Sequence, residues 1–144
     1  MRWVIASDHA GYPLKEEVKA LLKARGVEAT DLGAHDTQRT DYPDWGHRLG
    51  EAIARGDYDR GVLVCGTGIG ISIAANRHAG CRAALCNEVF MARMARAHND
   101  ANVLALGARV VGPGVAEAIL DAFLTTAFEG GRHGDRVKKI DPGR

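Results

Sequence analysis

The stretch VLVCGTGIGIS, residues 62–72, sets three local signals end to end. An apolar run closes on Cys65. Gly66, Gly68 and Gly70 follow at alternate positions. A helical pattern then starts within ISIAANR (71–77). The reading is a buried strand, a tight turn and a short helix. That unit belongs to sheets whose strands run parallel, with helices returning the chain between them.

Working outward, the same alternation repeats in both directions. Upstream, WVIAS (3–7) reads as a buried strand and DHAGYP as a turn, with Pro13 at the first helical position. Leu14, Val18, Leu21 and Leu22 form a helical stripe that Gly26 closes. VEATDLG (27–33) reads as a second strand, AHDTQRTDYPD (34–44) as a polar loop, and WGHRLGEAIARG (45–56) as a helix with Trp45, Leu49, Ala52 and Ile53 inward. Downstream, CRAALC (81–86) is a strand, Asn87 is placed to cap the helix EVFMARMARAH (88–98), and NVLALG (102–107) is a strand. A last helix starts at Pro113, with Val115, Ile119, Leu120, Phe123 and Leu124 as its stripe. The tail EGGRHGDRVKKIDPGR (129–144) is rich in glycine and basic residues. The pattern predicts one domain, a three-layer α/β/α sandwich of the Rossmann-like kind around a five-stranded, mostly parallel sheet. The strand order is left open by the sequence.

Composition narrows the function. A chain of 144 residues suits a single core. A net charge of +1 gives no bulk attraction to nucleic acid or membrane, and neither is expected as a partner. No signal-peptide pattern or membrane span is read. Three cysteines without a C-x-x-C pair argue against disulfide scaffolds and zinc clusters, and a reducing cytoplasm is the expected location.

Ligands of such sheets sit beyond the carboxyl ends of the strands. The residues there are Asp8 and His9 after the first strand, Cys65 to Gly70 after the third, and Arg109 after the fifth. The glycine turn exposes backbone N–H groups at a helix start and suits an anion. It fits neither G-x-G-x-x-G nor G-K-[ST], so it is not a common nucleotide loop. A ligand-free turn is the bland alternative, against which Thr67 places a hydroxyl between two glycines. Cys65 is either packing filler or a thiol whose anion the helix start favours, able to act as nucleophile or base; Cys81 and Cys86 read as filler. The HND run (98–100) is either a polar helix end or part of a site. Arg132 and Arg136, four apart, share a face if helical and make either a phosphate clamp or a solvated tail.

Six segments taken in order resemble the B-type ribose-5-phosphate isomerases and their galactose-6-phosphate and allose-6-phosphate relatives. They are SDHAGYPLK (7–15), RTDYPD (39–44), CGTGIGISIAANR (65–77), RAALCNE (82–88), HNDANVLALGARVVG (98–112) and EGGRHGDRV (129–137). The resemblance covers almost the whole chain. It implies aldose–ketose isomerisation of a phosphosugar through a cis-enediolate, without metal or organic cofactor. By that analogy Cys65 is the base that shuttles the proton. A second branch of the family lacks this cysteine and uses a glutamate within the equivalent of 69–74; here that segment, IGISIA, holds no acid. The resemblance further implies that His98 and Thr67 assist ring opening and that Asp8 binds sugar oxygens. Gly66, Gly68 and Gly70 would hold the enediolate, and Asn99 and Tyr42 would position the sugar. His9, Arg109, Arg132 and Arg136 would grip the phosphate. It also implies a homodimer or homotetramer with sites between subunits, the tail (129–144) reaching a partner's site. Rivals are an isomerase of six-carbon phosphosugars or free aldoses, a non-catalytic phospho-ligand binder, and a redox thiol protein.

Overall fold

In the computed structural model, which describes residues 1–143, strands and helices alternate along the chain. Arg144, the end of the expected tail, lies outside those residues. The elements are β1 (Trp3–Ser7), α1 (Tyr12–Ala24), β2 (Ala29–Gly33), α2 (Tyr42–Ala54), β3 (Arg60–Cys65) and α3 (Ile69–Ala75). β4 (Ala83–Leu85), α4 (Val89–Ala97), β5 (Val103–Gly107), α5 (Pro113–Thr125) and α6 (Arg132–Val137) complete the chain.

The five strands form one sheet in the order β2-β1-β3-β5-β4, and every pairing is parallel. β3 is central. It pairs with β1 from Trp3 opposite Arg60 to Ser7 opposite Val64. With β5 it pairs from Gly61 opposite Val103 to Cys65 opposite Gly107. Both faces of β3 are buried, which is why it reads as an unbroken apolar run. Val62 and Val64 point to the layer of α1, α4 and α5, whereas Leu63 and Cys65 point to the layer of α2 and α3. Each fully buried valine or leucine contributes about 1.5–3 kcal/mol relative to exposure.

The strand order has one functional consequence. From β1 the chain first moves outward to β2, then crosses back to β3 and builds the other half. The order therefore reverses between β1 and β3, and a crevice opens beyond their carboxyl ends. Asp8 and His9 leave one of those ends, and Cys65 leaves the other.

Local detail refines the sequence reading at several places. The helix expected from Trp45 starts at Tyr42, because Pro43 occupies its first turn, where a missing N–H costs nothing. Glu88, not Asn87, caps α4, its carboxylate accepting from the N–H groups of Phe90 (3.0 Å) and Met91 (2.5 Å). Val115 is exposed, and Ala116 takes its place in the buried stripe of α5. The basic tail contains α6, so Arg132 and Arg136 lie on one helical turn.

Beneath the carboxyl end of β2 lies a charge group that apolar patterning does not show. Lys15 is fully buried. Its ammonium donates to both Asp31 oxygens (2.7 and 2.8 Å) and to the Ala34 carbonyl (2.5 Å). Lys19 adds a further bond to Asp31 at 2.8 Å. Burial would raise the Asp31 pKa, but the bonds from Lys15, Lys19 and the Gly33 N–H outweigh it and hold the carboxyl below its ordinary range.

Candidate active site

At the end of β3 the chain turns sharply into α3. Gly68 makes the turn with φ +82°, a region that side chains rarely enter. A Cβ there would also stand 2.6 Å from Leu85 Cδ1 and 2.9 Å from the carbonyl carbon of Leu106. Gly70 leaves room for the Tyr42 ring, which lies against its backbone. The turn brings the Gly68 N–H onto the Cys65 sulfur at 3.1 Å. A backbone donor thus faces the one atom proposed from sequence as a base. Cys65 is 4% exposed at the mouth of the turn. Cys81 and Cys86 are buried as well. Burial pushes both thiols up to about 12, so neither supplies a thiolate near neutral pH.

Thr67 is exposed, and its hydroxyl accepts from the Ile69 N–H at 3.1 Å, which leaves its proton for another acceptor. The loop is fastened to the end of β5 by Asn87, which donates to the Thr67 carbonyl (3.0 Å) and accepts from the Gly107 N–H (2.8 Å). The sequence reading assigned Asn87 to a helix cap. Its bridging role needs β4 and β5 as neighbours, which no local pattern reports. Arg109 follows Gly107 and is held by its N–H on the Gly66 carbonyl at 3.0 Å. Its guanidinium lies over Gly66, where a Cβ would meet Nη1 at 3.5 Å. From β1, the buried Asp8 carboxylate accepts from the Gly11 N–H (2.9 Å), and His9 Nδ1 accepts from the Thr40 N–H (3.1 Å). Asp8, His9, Tyr42, Cys65, Gly66, Thr67, Gly68, Gly70 and Arg109 therefore share the carboxyl edge of the sheet.

The remaining candidates lie elsewhere. α4 returns the chain to the amino edge, and His98 ends that helix, its N–H on the Met94 carbonyl at 2.8 Å. Glu129 fastens the tail there by donating its N–H to the Ala97 carbonyl at 3.0 Å. The His133 ring stacks on His98, with centroids 4.2 Å apart and planes 7° from parallel. Glu129 oxygens lie 3.6 Å from His98 Nε2 and 3.9 Å from His133 Nε2. Burial, then the neighbouring His98 and Arg132, lowers the His133 pKa against the pull of Glu129. His98, Asn99, His133 and Arg136 line a hollow of about 240 Å³ with Val137 and Ile140. Arg132 begins α6 beside it and is exposed. Glu129 and His133 were not singled out from sequence, although both lie in the EGGRHGDRV segment that was.

The strand β5 separates the two edges, and five residues of parallel strand span about 16 Å. One chain thus gathers the proposed base, the glycine turn and one arginine at one edge. It gathers His98, Asn99, Arg132 and Arg136 at the other.

A known family matches the chain along most of its length. The sequence model of that family, described as Ribose/Galactose Isomerase, matches residues 3–140. The chain belongs to the ribose/galactose isomerase family. It is an isomerase. Ribose-5-phosphate isomerase B of Escherichia coli (strain K12) is 52% identical over 133 residues, 92% of this chain and 89% of that protein. The solved structure of Clostridium thermocellum ribose-5-phosphate isomerase B superposes with a TM-score of 0.95 at 54% identity, covering 98% of this chain and 95% of that one. D-erythrulose-4-phosphate isomerase of Pectobacterium atrosepticum is 43% identical over 137 residues, 94% of this chain and 90% of that protein. The expected α/β sandwich and the expected family are therefore both found.

Proposed function

We propose that the chain interconverts D-ribose 5-phosphate and D-ribulose 5-phosphate without a cofactor, with Cys65 as the general base. The observation that carries this reading is the Cys65 sulfur at the crevice between β1 and β3, facing the Gly68 N–H at 3.1 Å. No acid in 69–74 offers a substitute, and the other two thiols are held protonated by burial. With the open-chain aldose bound, the Cys65 thiolate takes the C2 proton while the C1 carbonyl oxygen gains the charge. Thr67 and the turn amides stabilise that oxygen. The proton returns to C1, the O2 proton moves to O1, and the ketose is formed. His98 opens the sugar ring by moving protons at the ring oxygen and O1. Asp8, Tyr42 and Asn99 position the sugar, and His9, Arg109, Arg132 and Arg136 hold the phosphate. Binding at the phosphate end then serves to fix the reacting carbons against the base.

The two half-sites lie at opposite edges of one chain, so the complete site is assembled from two chains in a homodimer, alone or paired into a homotetramer. Tyr42, Ile69, Ile73, Phe90 and Met91 are exposed on the helices that flank the carboxyl edge, and a second copy would cover them. The tail from Glu129 onward would then serve the partner's base.

The test is turnover of the purified chain on ribose 5-phosphate, allose 6-phosphate and D-erythrulose 4-phosphate. The third is included because one relative bears that substrate's name. The highest kcat/KM is expected on ribose 5-phosphate. Faster turnover of either other sugar reassigns the substrate, and no turnover of any of the three overturns the reading.

A further inference from the structure

The cluster at the amino edge holds more than ring opening requires. His98 Nε2, a Glu129 oxygen and His133 Nε2 offer ligand atoms that all lie within 4.8 Å of one another. Two imidazoles and one carboxylate form a donor set for zinc-like ions. Donors bound tetrahedrally to one zinc stand about 3.4 Å apart. One Glu129 oxygen lies 3.6 Å from His98 Nε2 and the other lies 3.9 Å from His133 Nε2, so the carboxylate is within reach of both rings. The stacked rings need only splay for both lone pairs to converge.

The three backbones are also well tied. His98 is bonded at the end of α4, Glu129 to Ala97 and His133 to Gly130 at 3.1 Å. His133 is buried in α6. Arg132 and Arg136 oppose a dication, and the Glu129 carboxylate offsets part of that repulsion.

We propose that His98, Glu129 and His133 bind one divalent ion of the zinc class per chain and that the bound ion inhibits isomerisation by occupying His98 Nε2. Binding stands on the geometry of the cluster alone, whereas the inhibition rests on the ring-opening role proposed for His98. A protonated histidine would release its proton on binding. Magnesium, which requires oxygen ligands in an octahedron, is not expected to bind.

The experiment uses the full chain, stripped with EDTA and titrated with Co²⁺, Zn²⁺ or Mg²⁺. Cobalt absorption in the visible reports binding, and turnover of ribose 5-phosphate is followed in parallel. One Co²⁺ per chain is expected, with the same spectrum in Cys65→Ala. Zn²⁺ should displace it and suppress turnover, and Mg²⁺ should do neither. Loss of outer partners of metal ligands costs 10–100-fold in affinity, so removing a ligand in Glu129→Gln or His133→Ala should weaken Co²⁺ by on the order of 100-fold. Two variants are named so that a folding defect in one leaves the other. No cobalt spectrum, or a spectrum lost in Cys65→Ala but kept in both ligand variants, overturns the proposal. Cobalt binding with undiminished turnover overturns its inhibitory half. A metal-free chain that never turns over ribose 5-phosphate but shows the cobalt spectrum supports the binding site and sinks the isomerase reading.

Discussion

At the carboxyl edge of the sheet, backbone holds the chemistry in place: strand ends, a left-handed glycine and amide donors surround Cys65. At the amino edge, side chains do the holding, with two stacked imidazoles and a carboxylate brought together by a tail that folds back on α4. The first arrangement suits a base and an oxyanion, whose positions relative to one carbon must be exact to fractions of an ångström. The second suits proton exchange and anion binding, where long side chains can adapt. The difference teaches that a group set by backbone is fixed by the fold of its own sheet edge, whereas a group of side chains on a tail depends on where that tail docks.

The largest effect expected from breaking one edge is Cys65→Ala. General-base catalysis is worth 10²–10⁴-fold, so turnover should fall by about 10³-fold or more while the fold and phosphate affinity persist. Steady-state kinetics and inhibition by inorganic phosphate measure both. Wild-type turnover in this variant would remove the thiol from the mechanism.

The division between edges is tested by mixing. Cys65→Ala and His98→Ala are each expected to be inactive, but unfolded together and refolded they should regain about a quarter of wild-type activity, because half the dimers are mixed and each mixed dimer has one intact site. No recovery, with mixed dimers shown to form, would place each site within a single chain.

A smaller change is expected at the phosphate end. Arg136→Ala should raise KM for ribose 5-phosphate by about 30-fold, roughly 2 kcal/mol, with kcat nearly kept. An unchanged KM would remove Arg136 from the phosphate clamp.

The smallest effect concerns the support under the carboxyl edge. Asp31 has its pKa lowered on folding, so its contribution to stability is present in full above the unfolded carboxylate pKa of about 4 and fades as pH falls below it towards the lower folded value. Urea titrations should show the stability advantage of wild type over Asp31→Asn shrinking below that pH. A constant difference would mean that the carboxylate form is not what Lys15 and Lys19 stabilise.

How much was legible follows from the kind of signal each residue carries. β3 and β5 read clearly because buried parallel strands are apolar on both faces. The glycine turn read clearly because a φ of +82° at Gly68 and a sharp strand-to-helix turn restrict the residue types allowed, whereas Cys65 before it stood between packing filler and reactive thiol until the resemblance was weighed. For His98, Arg132 and Arg136 the residues left a functional and a bland reading open and the resemblance chose between them, since a histidine or arginine carries no local conformational demand. Asn87 was misread because Asn caps helices and bridges loops equally well. The bond to Gly107 depends on a strand that comes later in the chain.

By itself, then, the amino-acid order determined the alternation of strands and helices, the turn that presents Cys65, and the family to which these segments belong, because those depend on periodicity and on residue types within a few positions. Only the tertiary structure decided the strand order, and with it the crevice between β1 and β3. It alone buried Lys15 against Asp31 and set Cys65 and His98 at opposite edges. Those outcomes turn on which surfaces bury one another across long stretches of chain, and no short window of sequence contains that information.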